Sequence, residues 1–136
     1  MQADPTTEAA VRSVLDRLAN VYVTRDLDEL RAVFAADPEA VMFSPGAQRV
    51  VGIDAIAVKA DSDWARSDAA TLTYRRATVA AAGTVAWAAV DADFTVRAGG
   101  TETTAPVHIT FVLEQRDAEW RIVHAHYSLA PALTER

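Results

Sequence analysis

Apolar residues recur at helical spacing near the start of the chain. Between residues 11 and 22 they fall three and four positions apart, as on one face of an α-helix. They are Val11, Val14, Leu15, Leu18, Val21 and Tyr22. Asp4 and Pro5 fit an N-cap and the first position of this helix. The same reasoning predicts a second helix after the cap residue Asp26 and a third after Gly52.

The helical period disappears in the second half, which has the pattern of long antiparallel strands. The predicted strands are 70–81, 84–96, 101–115 and 119–129, after a short one at 40–44. Pro106 lies inside the third long strand and predicts an edge or a bulge there, because proline cannot donate a ladder hydrogen bond. Helices followed by a sheet predict an α+β fold, and the absence of a repeat or linker predicts a single domain over residues 1–136.

Composition narrows the possible partners. The chain is 51% hydrophobic and 24% charged, which is typical of a globular domain, and its net charge of -6 opposes binding to nucleic acid or to an anionic membrane. It has no cysteine, so disulfides and thiolate zinc sites are excluded. No signal-peptide pattern or long apolar run is present, and we expect a cytoplasmic protein. No nucleotide-binding or metalloprotease motif occurs, so no cofactor is expected.

Turn positions predict which side chains of neighbouring strands share a face. A two-residue turn at Gly99-Gly100 brings His108 opposite Asp91 in the preceding strand. A second two-residue turn, at Asp117-Ala118, brings Tyr127 opposite His108 from the other side. The predicted row Asp91, His108, Tyr127 has neighbouring Cβ atoms about 5 Å apart.

The same register predicts what lies on the opposite face of the last strand. That set is Trp120, Ile122, His124, His126 and Ser128. Since His124 and His126 then point away from His108, the three imidazoles do not converge and no metal site is expected. We expect instead a sheet face that packs against a second copy to form a homodimer through Trp120, His124 and His126.

The run Glu119–Ser128 ends a strand in histidines and a tyrosine, and Gly52–Ile56 opens the third helix. Together with the two preceding helices, these segments resemble the superfamily of nuclear-transport-factor-like, SnoaL-like and ketosteroid-isomerase-like proteins. The resemblance implies three helices packed on a strongly curved, mainly antiparallel sheet that forms a cone with an internal pocket. It does not fix the function, because this architecture hosts enzymes, binding modules and oligomerisation domains.

The resemblance to ketosteroid isomerases is incomplete at the positions that carry their chemistry. The general base of that family falls on Ser44, and the tyrosine of its first helix falls on Leu18. Its hydrogen-bonding carboxylic acid, two residues after the strand proline, falls on His108. Steroid isomerisation by that mechanism is therefore not expected, but the resemblance implies that His108 and Tyr127 point into the cone.

The closing hairpin, Asp117–Trp120 and Val123–Ser128, is similar to the oligomerisation hub of calmodulin-dependent kinases. The arginines that line the hub pocket correspond here to Ala89, Phe111 and Tyr127. An acidic ligand held by an arginine cluster is therefore not expected. This resemblance implies a non-catalytic association domain as an alternative to an enzyme.

The leading hypothesis is a small-molecule-binding protein with acid/base chemistry. Asp91 would orient His108 for proton exchange near neutral pH, and Tyr127 would donate a hydrogen bond to a substrate oxygen. Such a set suits an isomerase, a cyclase or a dehydratase, in which charge develops on oxygen. Asp91 and His108 could equally form a structural pair without catalysis. The further expected pocket residues for this small organic ligand are Tyr22, Trp64, Trp87, Asp93 and Thr110.

Overall fold

The computed structural model describes residues 2–36, 40–46 and 49–131, which form three helices and six strands. These are α1 (Pro5–Thr24), α2 (Leu27–Val33), β1 (Val41–Phe43), β2 (Val50–Val51), α3 (Ile53–Ala65), β3 (Ala69–Ala82), β4 (Val85–Ala98), β5 (Thr101–Arg116) and β6 (Glu119–Leu129). The strands form one sheet in the order β2-β1-β6-β5-β4-β3, and its neighbours are antiparallel except for β1 and β6. The sheet curls without closing, with the helices packed on one side, so the predicted α+β class is confirmed.

Helix α1 begins as the sequence predicts. The Asp4 carboxylate accepts a hydrogen bond from the Thr7 backbone N–H at 2.8 Å, and Pro5 occupies the first turn. The helix ends at Arg25, whose φ of 59° is left-handed. None of the helices in the described part of the chain is long and apolar enough to cross a membrane.

The two faces of the sheet differ in burial. We call the face that carries the helices the inner face and the opposite one the outer face. Along β5 the inner residues are buried, and they are Val107, Ile109, Phe111 and Leu113. Pro106 lies one residue beyond the last β5–β6 pair, and its carbonyl still accepts a hydrogen bond from the Ala130 N–H at 2.9 Å, so the missing proline N–H falls where the β5–β6 ladder ends.

The pairing of β5 with β6 changes register partway along. The turn at Asp117-Ala118 pairs Arg116 with Glu119, as predicted. Four residues later β6 contains a β-bulge, which leaves Val123 without a partner in β5. The bulge coincides with a change of neighbour on the other side of β6, because Phe34 bridges to Ile122 whereas β1 pairs only from His124 onwards.

The bulge overturns part of the predicted register. His108 is paired with Ser128, and Tyr127 is paired with Ile109 on the inner face, so the expected His108–Tyr127 pair is wrong. Trp120 and Ile122, expected beside the two later histidines, instead lie in the core with 8% and 0% exposure.

Candidate functional site

A cavity of about 590 Å³ lies between the helices and the inner face of the sheet. Its wall is mainly apolar and includes Leu18, Leu30, Phe34, Ile56, Leu72 and Val107. This volume is within the range of cavities that hold small organic molecules. The polar groups in the wall are few, and their arrangement determines what the cavity can do.

Two tyrosines, which we call the tyrosine pair, meet at the wall of this cavity. Tyr22 comes from the buried stripe of α1 and Tyr127 from β6, and their hydroxyl oxygens are 3.0 Å apart. Phe94 packs edge-on against Tyr22 at a centroid distance of 5.7 Å, and Phe111 packs in the same way against Tyr127 at 6.1 Å. These contacts fix the orientation of both rings and therefore the position of both hydroxyls.

The tyrosine pair can donate a hydrogen bond to a ligand. Two hydroxyls carry two protons and their mutual bond uses one, so the other proton has no acceptor among the described residues. Burial raises the pKa of Tyr22 to about 12, opposed by the hydrogen bond with Tyr127 and assisted by Asp63. Burial likewise raises the pKa of Tyr127 well above its ordinary value. Both side chains are therefore neutral donors at physiological pH.

Charged residues at the C-terminal end of α3, including its C-cap Arg66, also line the cavity. The Asp63 carboxylate accepts hydrogen bonds from Lys59 Nζ at 2.6 Å and from an Arg66 guanidinium nitrogen at 2.8 Å. Helical spacing brings these side chains together, because they lie three and four residues apart. Among the described residues that line the cavity, Asp63 is the only one with a carboxylate.

Arg25 links the C-terminal end of α1 to the C-terminal end of α3 through hydrogen bonds. Its guanidinium donates to the backbone carbonyl of Trp64 at 2.7 Å and to that of Ser67 at 2.9 Å. A further bond reaches the Ser67 hydroxyl at 2.9 Å. Trp64 and Ser67 both line the cavity, so Arg25 holds the wall in place without being part of it.

The expected site residues divide between the two faces of the sheet. Tyr22, Trp64 and Tyr127 line the cavity. Five others lie on the outer face and do not line it: Asp91, His108, Trp87, Asp93 and Thr110. Their neighbours along each strand are the inner-face residues, and successive side chains of a strand point to opposite sides.

The Asp91–His108 pair exists, but outside the cone. The two residues face each other across β4 and β5, with 3.6 Å between the Asp91 carboxylate and His108 Nε2. Their side chains are 46% and 56% exposed. Such an exposed pair contributes little to stability, and it cannot reach a ligand in the cavity. Asp93 also has an ionic neighbour on the outer face, since Arg75 lies 3.5 Å away.

All three histidines of the chain lie on the outer face. The expectation that His124 and His126 point away from His108 is wrong, because the bulge in β6 places them on the same side. Among the described residues, no group of three or more His, Asp or Glu side chains is arranged to hold a metal ion.

An apolar strip, which we define as Phe43, Trp87, Val112, His124 and His126, occupies the middle of the outer face. Phe43 packs against His126 with ring centroids 5.2 Å apart and against His124 at 6.0 Å. Trp87 is 36% exposed although it is one of the largest apolar side chains. Burial, and then the charge of His126, lowers the pKa of His124.

Five polar residues that line the cavity were not predicted from the sequence as part of a site: Ser44, Lys59, Asp63, Arg66 and Ser67. Lys59 and Asp63 follow the α3 face that carries Ile56, so helical spacing was a usable signal for both. Ser44 was interpreted as a strand end. It lines the cavity, and its hydroxyl has no hydrogen-bond partner among the described residues.

Comparison with known proteins identifies the family. A family model for the SnoaL-like domain matches residues 11–132, and the chain therefore belongs to the SnoaL-like family. No curated protein sequence matches the chain significantly.

Solved structures share the fold at low sequence identity. A nuclear transport factor 2-like superfamily protein from Salmonella enterica serovar Typhimurium is 22% identical, with a TM-score of 0.87 over 98% of this chain and 96% of that one. A protein from Streptomyces avermitilis, provisionally described as a dehydratase of the NTF2-like family, is 14% identical, with a TM-score of 0.88 over 95% and 100%. A protein from Xanthomonas campestris, provisionally described as a calcium/calmodulin-dependent protein kinase II association domain, is 20% identical, with a TM-score of 0.79 over 90% and 87%. At these identities the likeness establishes the fold alone.

Proposed function

We propose that the protein binds a small, largely apolar organic molecule in its cavity, with the tyrosine pair donating a hydrogen bond to an oxygen of that molecule. The observation that carries the proposal is the Tyr22–Tyr127 hydrogen bond of 3.0 Å at the wall of the 590 Å³ cavity. The pair keeps one proton available, and the apolar wall would exclude water around the contact. A hydrogen bond in such surroundings is stronger than one in solvent.

The same arrangement favours proton transfer next to a carbonyl group. A carbonyl oxygen held by the tyrosine pair would accept electron density as the adjacent carbon loses a proton, and the resulting enolate would be stabilised by the donated hydrogen bond. Asp63 is the candidate acceptor of that proton, because it supplies the carboxylate of the described wall. Isomerisation of an unsaturated ketone, aldol-type cyclisation and dehydration of a β-hydroxy carbonyl compound each involve loss of a proton next to a carbonyl group. One relative of this fold is provisionally described as a dehydratase.

A ligand screen tests the proposal directly. Bicyclic ketones and alcohols would be compared with their parent hydrocarbons by saturation-transfer NMR on the wild-type protein. We expect the oxygenated compounds to bind, and we expect the double variant Tyr22→Phe/Tyr127→Phe to lose about tenfold in affinity for them, since it removes a hydrogen bond in a dry site. Ala60→Phe, which places a ring in the cavity, should abolish binding.

Tyr74→Phe provides the matched control, because the Tyr74 hydroxyl donates to the Leu15 carbonyl at 2.6 Å and does not line the cavity. Its affinity for the same compounds should equal that of the wild type. Binding that is indifferent to both the tyrosine pair and Ala60→Phe would refute the proposal.

We also propose, as a second candidate function, self-association of two copies through the apolar strip. The strip contains no carboxylate or permanently charged side chain, whereas the whole chain carries a net charge of -6. Two copies therefore repel each other least when they approach through this face. Exposed Trp87 and the Phe43–His126 contact supply the apolar surface that such an interface needs. Trp120, expected to take part, is buried in the core and does not.

A charge placed beside the strip tests self-association. Thr110 is exposed on the outer face and pairs with His126, so Thr110→Glu should split a dimer into monomers while leaving the fold intact. Val58 is 69% exposed on α3, and Val58→Glu is the control that adds the same charge elsewhere. Light scattering coupled to gel filtration would measure both masses. A wild-type monomer, or a dimer that withstands Thr110→Glu, would contradict the proposal.

A further inference from the structure

We propose that Ser44 is a second polar contact for the ligand, so that the molecule in the cavity carries two oxygen functions, one at the tyrosine pair and one at Ser44. This inference rests on the proposed binding function. It specifies the ligand class more closely than the tyrosine pair alone can.

The sheet places Ser44 beside Tyr127. Strand β1 runs parallel to β6 and pairs Met42 with Ala125 and Phe43 with His126. Ser44 follows Phe43 directly, and continuing this register brings it level with Tyr127, about 5 Å away between neighbouring strands. Met42 and Ser44 both line the cavity. This is expected, because every second side chain of a strand points to the same side.

The hydroxyl of Ser44 is covered and unpaired. Its Oγ is inaccessible to solvent and has no hydrogen-bond partner among the described residues. Buried polar groups in folded proteins are nearly always paired, because an unpaired one loses its hydration without compensation. Rotation about the single Cα–Cβ bond moves a serine hydroxyl between three staggered positions. Because Ser44 lines the cavity, such a rotation would turn the hydroxyl towards a ligand that offers it a partner.

The three hydroxyls together define the ligand class. Tyr22, Tyr127 and Ser44 all line the cavity, and the continued register brings Ser44 level with Tyr127, so the three hydroxyls would form one polar corner of the wall. A molecule with one oxygen would satisfy the tyrosine pair and leave Ser44 unpaired. A compact hydroxy ketone, diketone or diol would satisfy both, and the cavity would therefore select it over a singly oxygenated analogue.

Paired probes test this selection. Naphthol and a set of naphthalenediols, which differ in the spacing of two hydroxyls, would be titrated by calorimetry into the wild type and into Ser44→Ala. We expect the best diol to bind the wild type at least about fivefold more tightly than naphthol, which exceeds the twofold statistical gain of a second hydroxyl. Ser44→Ala should reduce this preference to about twofold while leaving the affinity for naphthol unchanged.

Ser128→Ala is the matched control, because Ser128 is an exposed strand serine on the outer face next to Tyr127. It should retain the full preference for the diol. A second measurement uses the free protein: Ser44→Ala removes an unpaired buried hydroxyl and should raise Tm, whereas Ser128→Ala should leave it unchanged.

The outcomes separate the two proposals. An undiminished diol preference in Ser44→Ala, or a lower Tm of that variant, would overturn the role of Ser44 and leave the cavity proposal standing. Failure of naphthol to bind the wild type, or equal binding to Tyr22→Phe/Tyr127→Phe, would instead refute the proposed function and this inference with it.

Discussion

Removing the hydroxyls of the tyrosine pair one at a time and together should reveal their interaction as a free energy. Tyr22→Phe leaves the hydroxyl of Tyr127 without its partner at 3.0 Å, and Tyr127→Phe does the reverse. A buried hydroxyl that loses its partner costs about 1–2 kcal/mol, because the group stays desolvated without a bond. Each single variant should therefore be less stable by about that amount.

The double variant should lose less than the sum of the two single changes. When both hydroxyls are absent, no polar group is left unpaired, and the wall becomes uniformly apolar. We expect a coupling free energy of about 1 kcal/mol between the two substitutions. For a chain of this length, the single changes should lower Tm by about 3–7 °C.

Urea denaturation of the wild type, both single variants and the double variant measures this cycle. Tyr74→Phe again serves as the control, because its hydroxyl bonds to the Leu15 carbonyl rather than to the pair. Combined with Tyr127→Phe, it should give an additive loss of stability. Strict additivity of Tyr22→Phe and Tyr127→Phe would refute the reasoning, since it would mean that the hydroxyls do not depend on each other.

Three further outcomes can be measured on the same set of proteins. Burial raises the pKa of Tyr22 from 10.0 to about 12, so this hydroxyl ionises at a lower pH in the unfolded chain than in the folded protein. The free energy of unfolding should therefore fall as the pH rises from 10 towards 12, and it should fall less in Tyr22→Phe. Burial lowers the pKa of His124 from 6.5, so the imidazole binds a proton more readily in the unfolded chain than in the folded protein. The free energy of unfolding should therefore fall as the pH decreases through and below 6.5, and it should fall less in His124→Asn. Arg25→Ala loses the bonds to the carbonyls of Trp64 and Ser67 and should cost about 2 kcal/mol in urea denaturation, with Arg25→Lys recovering less than half.

Much of the fold could be predicted because local signals agree with the tertiary structure. The Asp4 cap and the stripe from Val11 to Tyr22 specify α1 from nearby residues alone. The turn at Gly99-Gly100 is similarly local, since both glycines adopt positive φ, at 58° and 81°. That turn fixes the β4–β5 register, and Asp91 does lie opposite His108.

The face of the Asp91–His108 pair was predicted wrongly, although the sequence carried the correct signal. Apolar residues at every second position of β5, from Val107 to Leu113, identify the buried face and place His108 on the other one. The family resemblance favoured the opposite orientation, and the alternation was the better guide. In β4 the pattern is weaker, because small alanines are buried while Trp87 is exposed.

The bulge in β6 could not be predicted from nearby residues. Val123 is a β-branched residue of the kind found in regular strands, and its neighbours give no turn or glycine signal. The bulge coincides instead with a long-range feature, the change of the neighbour of β6 from Phe34 to β1. The position of Ser44 beside Tyr127 depends on the same long-range pairing of β1 with β6. Contacts between residues so far apart in sequence are not encoded in local pattern.

The bulge means that β6 contains one residue more than its pairing with β5 requires. Val123 is the extra residue, so a chain lacking it could pair Ile122 and His124 with consecutive residues of β5 in a regular ladder. Every side chain of the strand would then remain on its present face, with Tyr127 in the cavity and His126 outside. Loss of one residue from a regular strand would instead exchange its two faces. A homologue shorter by one residue at this point could therefore keep the same cavity, and deletion of Val123 should preserve whatever ligand affinity the wild type has.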